Sequence, residues 1–502
     1  MRAWVASCAD GLQHSGRQHN GEQPIHGTQK RGRHHCQWEA SGHSLTKTLG
    51  AFSITAIGVG AIIGAGIFVL TGTAAAQHAG PGIMLPFVLA GLACAFVGLC
   101  DAELAALIPV SGSSYTYTYA TLGELAAWII GWDLVLEYAM GAATVAVGWS
   151  AYLVSLLSQF GITLPPELTH SPGAVTLKDG SVVQAVFNLP ASLIVMALTA
   201  LLVLGTKESA RLNNVMVAIK LVVVVSFIGF GWALVNQDNW VPFIPANTGE
   251  FGHYGWSGVL RGSSVVFFAF IGFDAVSTAA QEARHPQRDM PLGILGSLTI
   301  CTILYVAVAA VLTGLVPFTK LNVPDPIALA VDVIGKPWLS LLIKFGALAG
   351  LTTVILVLLY GQSRIFYTIS RDGLLPPVFS KVHPKYGTPH LSQIWIGAIV
   401  AVIAGLFPIH VLGEVVSIGA LFAFIMVCGA VIYLRKSEAD IVRPFRVPGV
   451  PIIPLVGIAF CLLLMSALPG DTWLRLFVWL AIGLAIYFGY GKRHSVHGRK
   501  SR

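Results

Sequence analysis

Five carboxylates and one ammonium interrupt stretches of sequence that are otherwise apolar: Asp101, Glu103, Asp133, Glu137, Asp274 and Lys220. Those stretches are long enough to cross a bilayer, where an ionised side chain costs roughly 2.5–3.5 kcal/mol even on lenient scales. Groups retained there pair with one another, hold a cation or carry a proton. Lys220 is the clearest case. It lies in Asn213-Asn-Val-Met-Val-Ala-Ile-Lys-Leu-Val-Val-Val-Val225, about 10 Å from the nearer end at ~1.5 Å per residue. Its simplest functional role is a proton site; the alternative, snorkelling to the surface, is near the limit of lysine's reach. Glu137 is expected near mid-membrane, with Asp133 one helical turn away on the same face. The two form a proton relay, or Glu137 faces a substrate cavity, or both pin their helix to its neighbours. Asp274 is expected to cap a half-helix. Asp101 and Glu103 are expected in water near a helix end, at an inner gate.

A second kind of chemistry belongs to the backbone. Gly58-Val-Gly-Ala-Ile-Ile-Gly-Ala-Gly-Ile-Phe68 holds four glycines in nine residues, and each weakens a helix by up to about 1 kcal/mol relative to Ala. A helix broken in lipid frees N–H and C=O groups that no water can satisfy, so a break is tolerated where it lines a cavity or holds a ligand. The reading is that Ile62 to Gly66 unwinds, and that its backbone, with the N-terminus of the half-helix starting near Ile67, holds the carboxylate of a small substrate. Close helix packing through small residues is the plainer alternative. A second glycine, Gly272, stands beside Asp274 in Val265-Val-Phe-Phe-Ala-Phe-Ile-Gly-Phe-Asp-Ala-Val-Ser277, which predicts a second break.

These features need a scaffold. The chain has 502 residues, 55% hydrophobic and 11% charged; soluble domains carry about 25% charged residues. The expected class is an all-α polytopic membrane protein with twelve transmembrane segments, at about 49–76, 84–108, 125–159, 187–205, 212–235, 257–280, 292–316, 338–367, 391–408, 411–434, 451–468 and 473–491. They are called segments 1 to 12 below. The breaks fall in segments 1 and 6, an odd offset that predicts opposite orientations, an inverted five-helix repeat (about 49–235 and 257–434) and a site at the repeat interface. Segments 11 and 12, about 451–491, are then peripheral.

With both termini inside, 23 of the 30 Lys and Arg fall on the cytoplasmic side, six on the other, and Lys220 within. That asymmetry sets orientation and accounts for the net charge of +7 without nucleic acid as a partner. The partners are the bilayer and the substrate; oligomeric state is left open. The basic loop 364–390 is expected to include a short interfacial helix. Residues 1–43 read as a disordered cytoplasmic tail, 44–491 as the membrane domain and 492–502 as a basic cytoplasmic tail. No cleavable signal, disulfide framework or metal site is expected from the scattered cysteines and histidines.

Gly60-Ala-Ile-Ile-Gly-Ala-Gly-Ile-Phe68, Pro109-Val-Ser-Gly-Ser-Ser-Tyr-Thr-Tyr117, Trp132-Asp-Leu-Val-Leu-Glu137, Phe270-Ile-Gly-Phe-Asp274 and Ser370-Arg-Asp-Gly-Leu-Leu-Pro376 closely resemble the amino acid–polyamine–organocation superfamily, in its bacterial branch related to cationic amino acid transporters. The resemblance runs from about 43 to 491. It implies the leucine-transporter fold, with discontinuous segments 1 and 6. It implies that N–H groups of Gly64, Ala65 and Gly66 meet the substrate carboxylate, and that carbonyls of Ile62, Phe268, Ala269 and Ile271 meet its ammonium. Many relatives carry Ser or Thr where this chain has Ala65, so one hydroxyl contact is missing. The resemblance also implies that Lys220 stands where sodium-coupled relatives bind a cation between segments 1 and 8; a proton is then the coupling ion, sodium is not expected, and no cofactor is needed. Asp101 departs from the family pattern.

Side chains then set specificity. Phe68, Phe273 and the stripe Leu351, Ile355, Leu358 are the candidate walls. By family pattern Leu358 faces the substrate side chain, and a leucine there leaves a small apolar pocket. The expected function is therefore proton-coupled import of a small neutral amino acid, such as alanine, across a bacterial inner membrane. The alternatives are a cationic amino acid (Lys/Arg) transporter, to which Glu137 points, an exchanger on the same fold, and, more distantly, an amino acid sensor. No nucleophile–base pair or phosphate loop suggests an enzyme.

Overall fold

The computed structural model describes residues 49–64, 66–107, 113–176, 182–205, 210–274, 276, 283–438 and 443–495. The expected tail 1–43 and Ala65 lie outside them. Helix dominates. Among the described residues, seven helices are long and apolar enough to cross a membrane, and four shorter apolar helices accompany them, Ala51–Ile62, Leu189–Leu204, His390–Leu406 and Ile452–Ser466. Each predicted segment carries helix.

Local chemistry explains most boundaries. Segment 4 starts at Leu189, where Asn188 accepts a hydrogen bond from the Ala191 N–H and Pro190 occupies the first turn. Segments 7 and 8 also begin with prolines, Pro286 and Pro337. Segment 8 does not break where an interfacial helix was expected. It runs as one helix, Pro337–Arg371, and stops only at Asp372-Gly373, where Gly373 takes φ +82°. The run 364–371 contains no helix breaker, so the basic residues Arg364 and Arg371 extend segment 8; a 3-10 turn, Pro377–Ser380, follows Pro376. The stretch 113–121, expected as loop, is a short helix, Ser113–Thr121. On the opposite side, β1 (Gly173–Thr176) and β2 (Val182–Ala185) form an antiparallel hairpin between segments 3 and 4, with Gly173 opposite Ala185.

Packing divides the helices into groups. Segment 7 lies against both segment 1 and segment 2, segment 3 lies against segments 8 and 10, and segment 9 lies against segment 4. Segment 11 covers segment 10. The breaks sit where the first group meets the second.

Candidate functional site

The first helix stops at Ile62, and Ile63 is extended (φ −69°, ψ 104°). Helical winding resumes at Gly66. The second runs through Gly255–Val266, tightens into a 3-10 turn at Phe267–Phe270, and ends with Ile271 extended. Gly272 then takes φ +110°, a conformation open to glycine.

The two breaks touch. A Cβ on Gly66 would lie 2.1 Å from Ala269 Cα, and one on Gly272 would lie 2.8 Å from the Ala61 carbonyl oxygen. Glycine at both positions is what lets the two backbones approach this closely. One side chain joins them. The Tyr305 hydroxyl of segment 7 lies 2.8 Å from the Ile62 carbonyl and 2.9 Å from the Ala269 carbonyl. A hydroxyl has one proton, so it satisfies one of these acceptors at a time. Ile62 and Ala269, two of the carbonyls that the resemblance assigns to an ammonium, therefore converge on one point and share a single side-chain donor. Phe268 is buried beside them and Ile271 is half-buried. Above the break, Tyr152 of segment 3 donates to the Phe68 carbonyl at 2.7 Å.

Lys220 does not snorkel. It is 3% exposed, and its Nζ donates to the Gly60 carbonyl at 3.1 Å. Gly60 is in the last turn of the first half-helix, whose terminal carbonyls lack intrahelical donors and carry the negative end of the dipole. The lysine stem passes Gly350 of segment 8, 3.2 Å from where a Cβ there would be. The ammonium thus stands between segments 1 and 8. Among the described residues it forms no ion pair, whereas the other deeply buried lysine, Lys344, is bound to Asp332 at 3.0 Å.

Glu137 is buried, within Coulombic reach of Asp274 and Asp133. Asp101 in turn is within reach of Asp274. The structure thereby gathers carboxyl groups from segments 2, 3 and 6 that the sequence presents separately. Among the described residues, both oxygens of Asp133 and Oδ2 of Asp101 are buried without a hydrogen-bond partner. Asp101 and Glu103 are not in water as expected; each is 2% exposed. Segments 10 and 11 cover this face of segment 2, and Glu103 is neutralised there by arginine.

Of the apolar stripe, Leu351 and Ile355 are fully buried. The face of segment 8 turned to the break is Val354, whose Cγ2 is 3.1 Å from where a Cβ on Gly64 would be. Leu358, one turn further in, is half-buried against Gly141 of segment 3, 3.4 Å from a Cβ there. Phe68 and Phe273 are both buried, Phe273 against Phe424 of segment 10 with ring centroids 4.9 Å apart. Sequence reasoning missed Tyr305, Val354 and Gly141. Two cavities, of about 410 and 490 Å³, open elsewhere: one beside His78, His253 and Arg261, the other beside Trp149 and Leu189. Neither reaches the break, where Ile62, Ile63, Gly64, Gly66, Phe268 and Ala269 are all buried.

Two touching helix breaks inside a bundle of apolar helices define a membrane transporter rather than an enzyme. The match to a family model described as amino acid permease spans residues 49–487. The chain belongs to that family and is a multi-pass membrane protein. A branched-chain amino acid permease of Bacillus subtilis is 51% identical over 90% of this chain and 94% of its own. A methylthioribose transporter of the same organism is 46% identical, covering 91% and 96%. The cationic amino acid transporter 9 of Arabidopsis thaliana chloroplasts is 36% identical, covering 91% and 90%.

Proposed function

We propose that this permease imports a neutral aliphatic amino acid together with a proton, by alternating access, across a bacterial inner membrane with both termini in the cytoplasm. The observation that carries the reading is Lys220: a buried ammonium, without a carboxylate partner among the described residues, bonded to the carbonyl end of a broken helix. Protonated, it holds segment 1 against segment 8. Deprotonated, it keeps only a neutral amine's weaker bond and releases the half-helix, so one proton biases a two-state equilibrium. This place is the one a coupling cation would take, and sodium is then not required. N–H groups at Gly64 and Gly66 receive the substrate carboxylate. The carbonyls of Ile62 and Ala269, which share a single hydroxyl donor, receive the ammonium.

Val354, Leu358 and Gly141 supply apolar walls of moderate size. A small neutral side chain fits that description. The name of the Bacillus relative extends the range upward, to branched aliphatic side chains. Proteoliposomes with an inside-alkaline pH gradient test the reading directly. Labelled alanine and valine should accumulate, with leucine and isoleucine competing and lysine and arginine failing to compete. Uptake only into liposomes preloaded with amino acid would point to exchange. Competition by lysine would show a wider, polar pocket. Competition by methylthioribose alone would remove the amino acid reading, since a neutral thiosugar has neither ammonium nor carboxylate.

A further inference from the structure

Glu103 sits one turn from the end of the helix Met84–Leu107 and is buried. Arg435, in the last turn of Ile409–Ser437, grips it with two bonds: Nε to Oε1 at 2.9 Å and Nη2 to Oε2 at 2.7 Å. The Val447 N–H donates to Oε2 at 2.7 Å. Arg443 Nε stands 3.4 Å from Oε1. Through Nη2, Arg443 also donates to the carbonyls of Leu434 and Glu438 at 2.9 and 2.8 Å, which closes the C-terminal end of segment 10. One carboxylate of segment 2 thereby collects the end of segment 10 and the stretch that follows it.

We propose that Glu103 is a positioning residue: with Arg435 it forms a clasp that holds segment 2 to segment 10 in the occluded form and parts when the inner face opens. The proposal rests on the alternating-access reading above. Three observations carry it. Segment 2 packs mostly with segment 7, which also packs with segment 1, whereas segment 10 packs mostly with segment 3, so rocking of the first group against the second shears this seam. The pair is at a helix end, where water enters as the seam parts. For a desolvated ion pair, attraction and lost hydration nearly offset each other, so rehydration of both ions lets the clasp open and reclose. Deeper along the seam, Cys100 and Cys428 are fully buried neighbours. Thiols bind weakly, which leaves the arginine–carboxylate bonds as the strong tie.

Those thiols also report on the seam. In membrane vesicles with the inner face accessible, maleimide labelling of each cysteine in the full chain is followed by mass spectrometry. Glu103→Gln should speed labelling of Cys100 and Cys428 by about tenfold, as the open fraction rises, while Cys301 of segment 7 stays at its wild-type rate. Arg435→Lys keeps the charge and loses the paired geometry, so it should give a smaller rise. In uptake, both variants should raise KM more than they lower the maximal rate, because the outward-binding form is depleted. Labelling of Cys100 and Cys428 within twofold of wild type, in either variant, would overturn the clasp. A parallel rise at Cys301 would overturn it too, since that is general loosening. If Glu103→Gln does not fold, Arg435→Lys decides by the same criteria. Absence of amino acid uptake by the wild type would remove the transport reading, and the labelling would still judge the clasp.

Discussion

The two helix breaks are built alike and closed differently. At the first, an ammonium from segment 5 donates to the Gly60 carbonyl, in the last turn before the break. At the second, closure is local: the Ile271 N–H bonds the Phe268 carbonyl at 3.1 Å, and Gly272 turns the chain with a positive φ. The first break therefore has a cap that can gain or lose a proton, and the second follows the first through the shared Tyr305 hydroxyl and the glycine contacts. On the proposed function, coupling belongs to the first break and the substrate site to both.

The largest effect should come from removing the titratable cap. Lys220→Ala should abolish pH-gradient-driven uptake, because a hydrogen bond to a charged group contributes about 1.5–3 kcal/mol, roughly 10–100-fold in the two-state balance. Counterflow between equal amino acid pools should survive, and its survival separates lost coupling from a lost site. The next effect tests the contact between the breaks. Gly66→Ala forces a methyl into the Ala269 backbone, and overpacking of this kind costs about 1–3 kcal/mol. Thermal unfolding in detergent should fall and transport should be lost at all substrate concentrations. A variant that melts normally and transports would mean the breaks do not touch. The smallest effect tests the shared donor. Tyr305→Phe removes one hydrogen bond, worth about 1 kcal/mol, and should raise KM several-fold while leaving the dependence on the pH gradient intact. A change in that dependence would move part of the coupling to the second break.

Much of this comparison was legible in the sequence. Glycines next to apolar residues announced both breaks, because a helix interior has little use for them in lipid, and a single lysine in a run of valines announced its own burial. The partners were not legible. Tyr305 is an ordinary tyrosine in an apolar helix, and nothing in its neighbours says that it reaches two carbonyls. Glu103 was read as a water-exposed gate residue because its partner, Arg435, is 332 residues away. Val354 was not legible for a related reason: a helix that is apolar on most sides has no strong moment to show which face meets the break. The run 113–121 was read as loop because its Ser, Thr and Tyr residues lack apolar periodicity, yet it packs onto segment 3 as a helix.

Proposed coupling through the Lys220 ammonium is tested by amino acid accumulation in proteoliposomes bearing wild-type or Lys220→Ala protein, with and without an inside-alkaline pH gradient. Gradient-driven accumulation is expected for the wild type and none for the variant, with equal counterflow by both. Gradient-driven accumulation by Lys220→Ala at the wild-type level would contradict it.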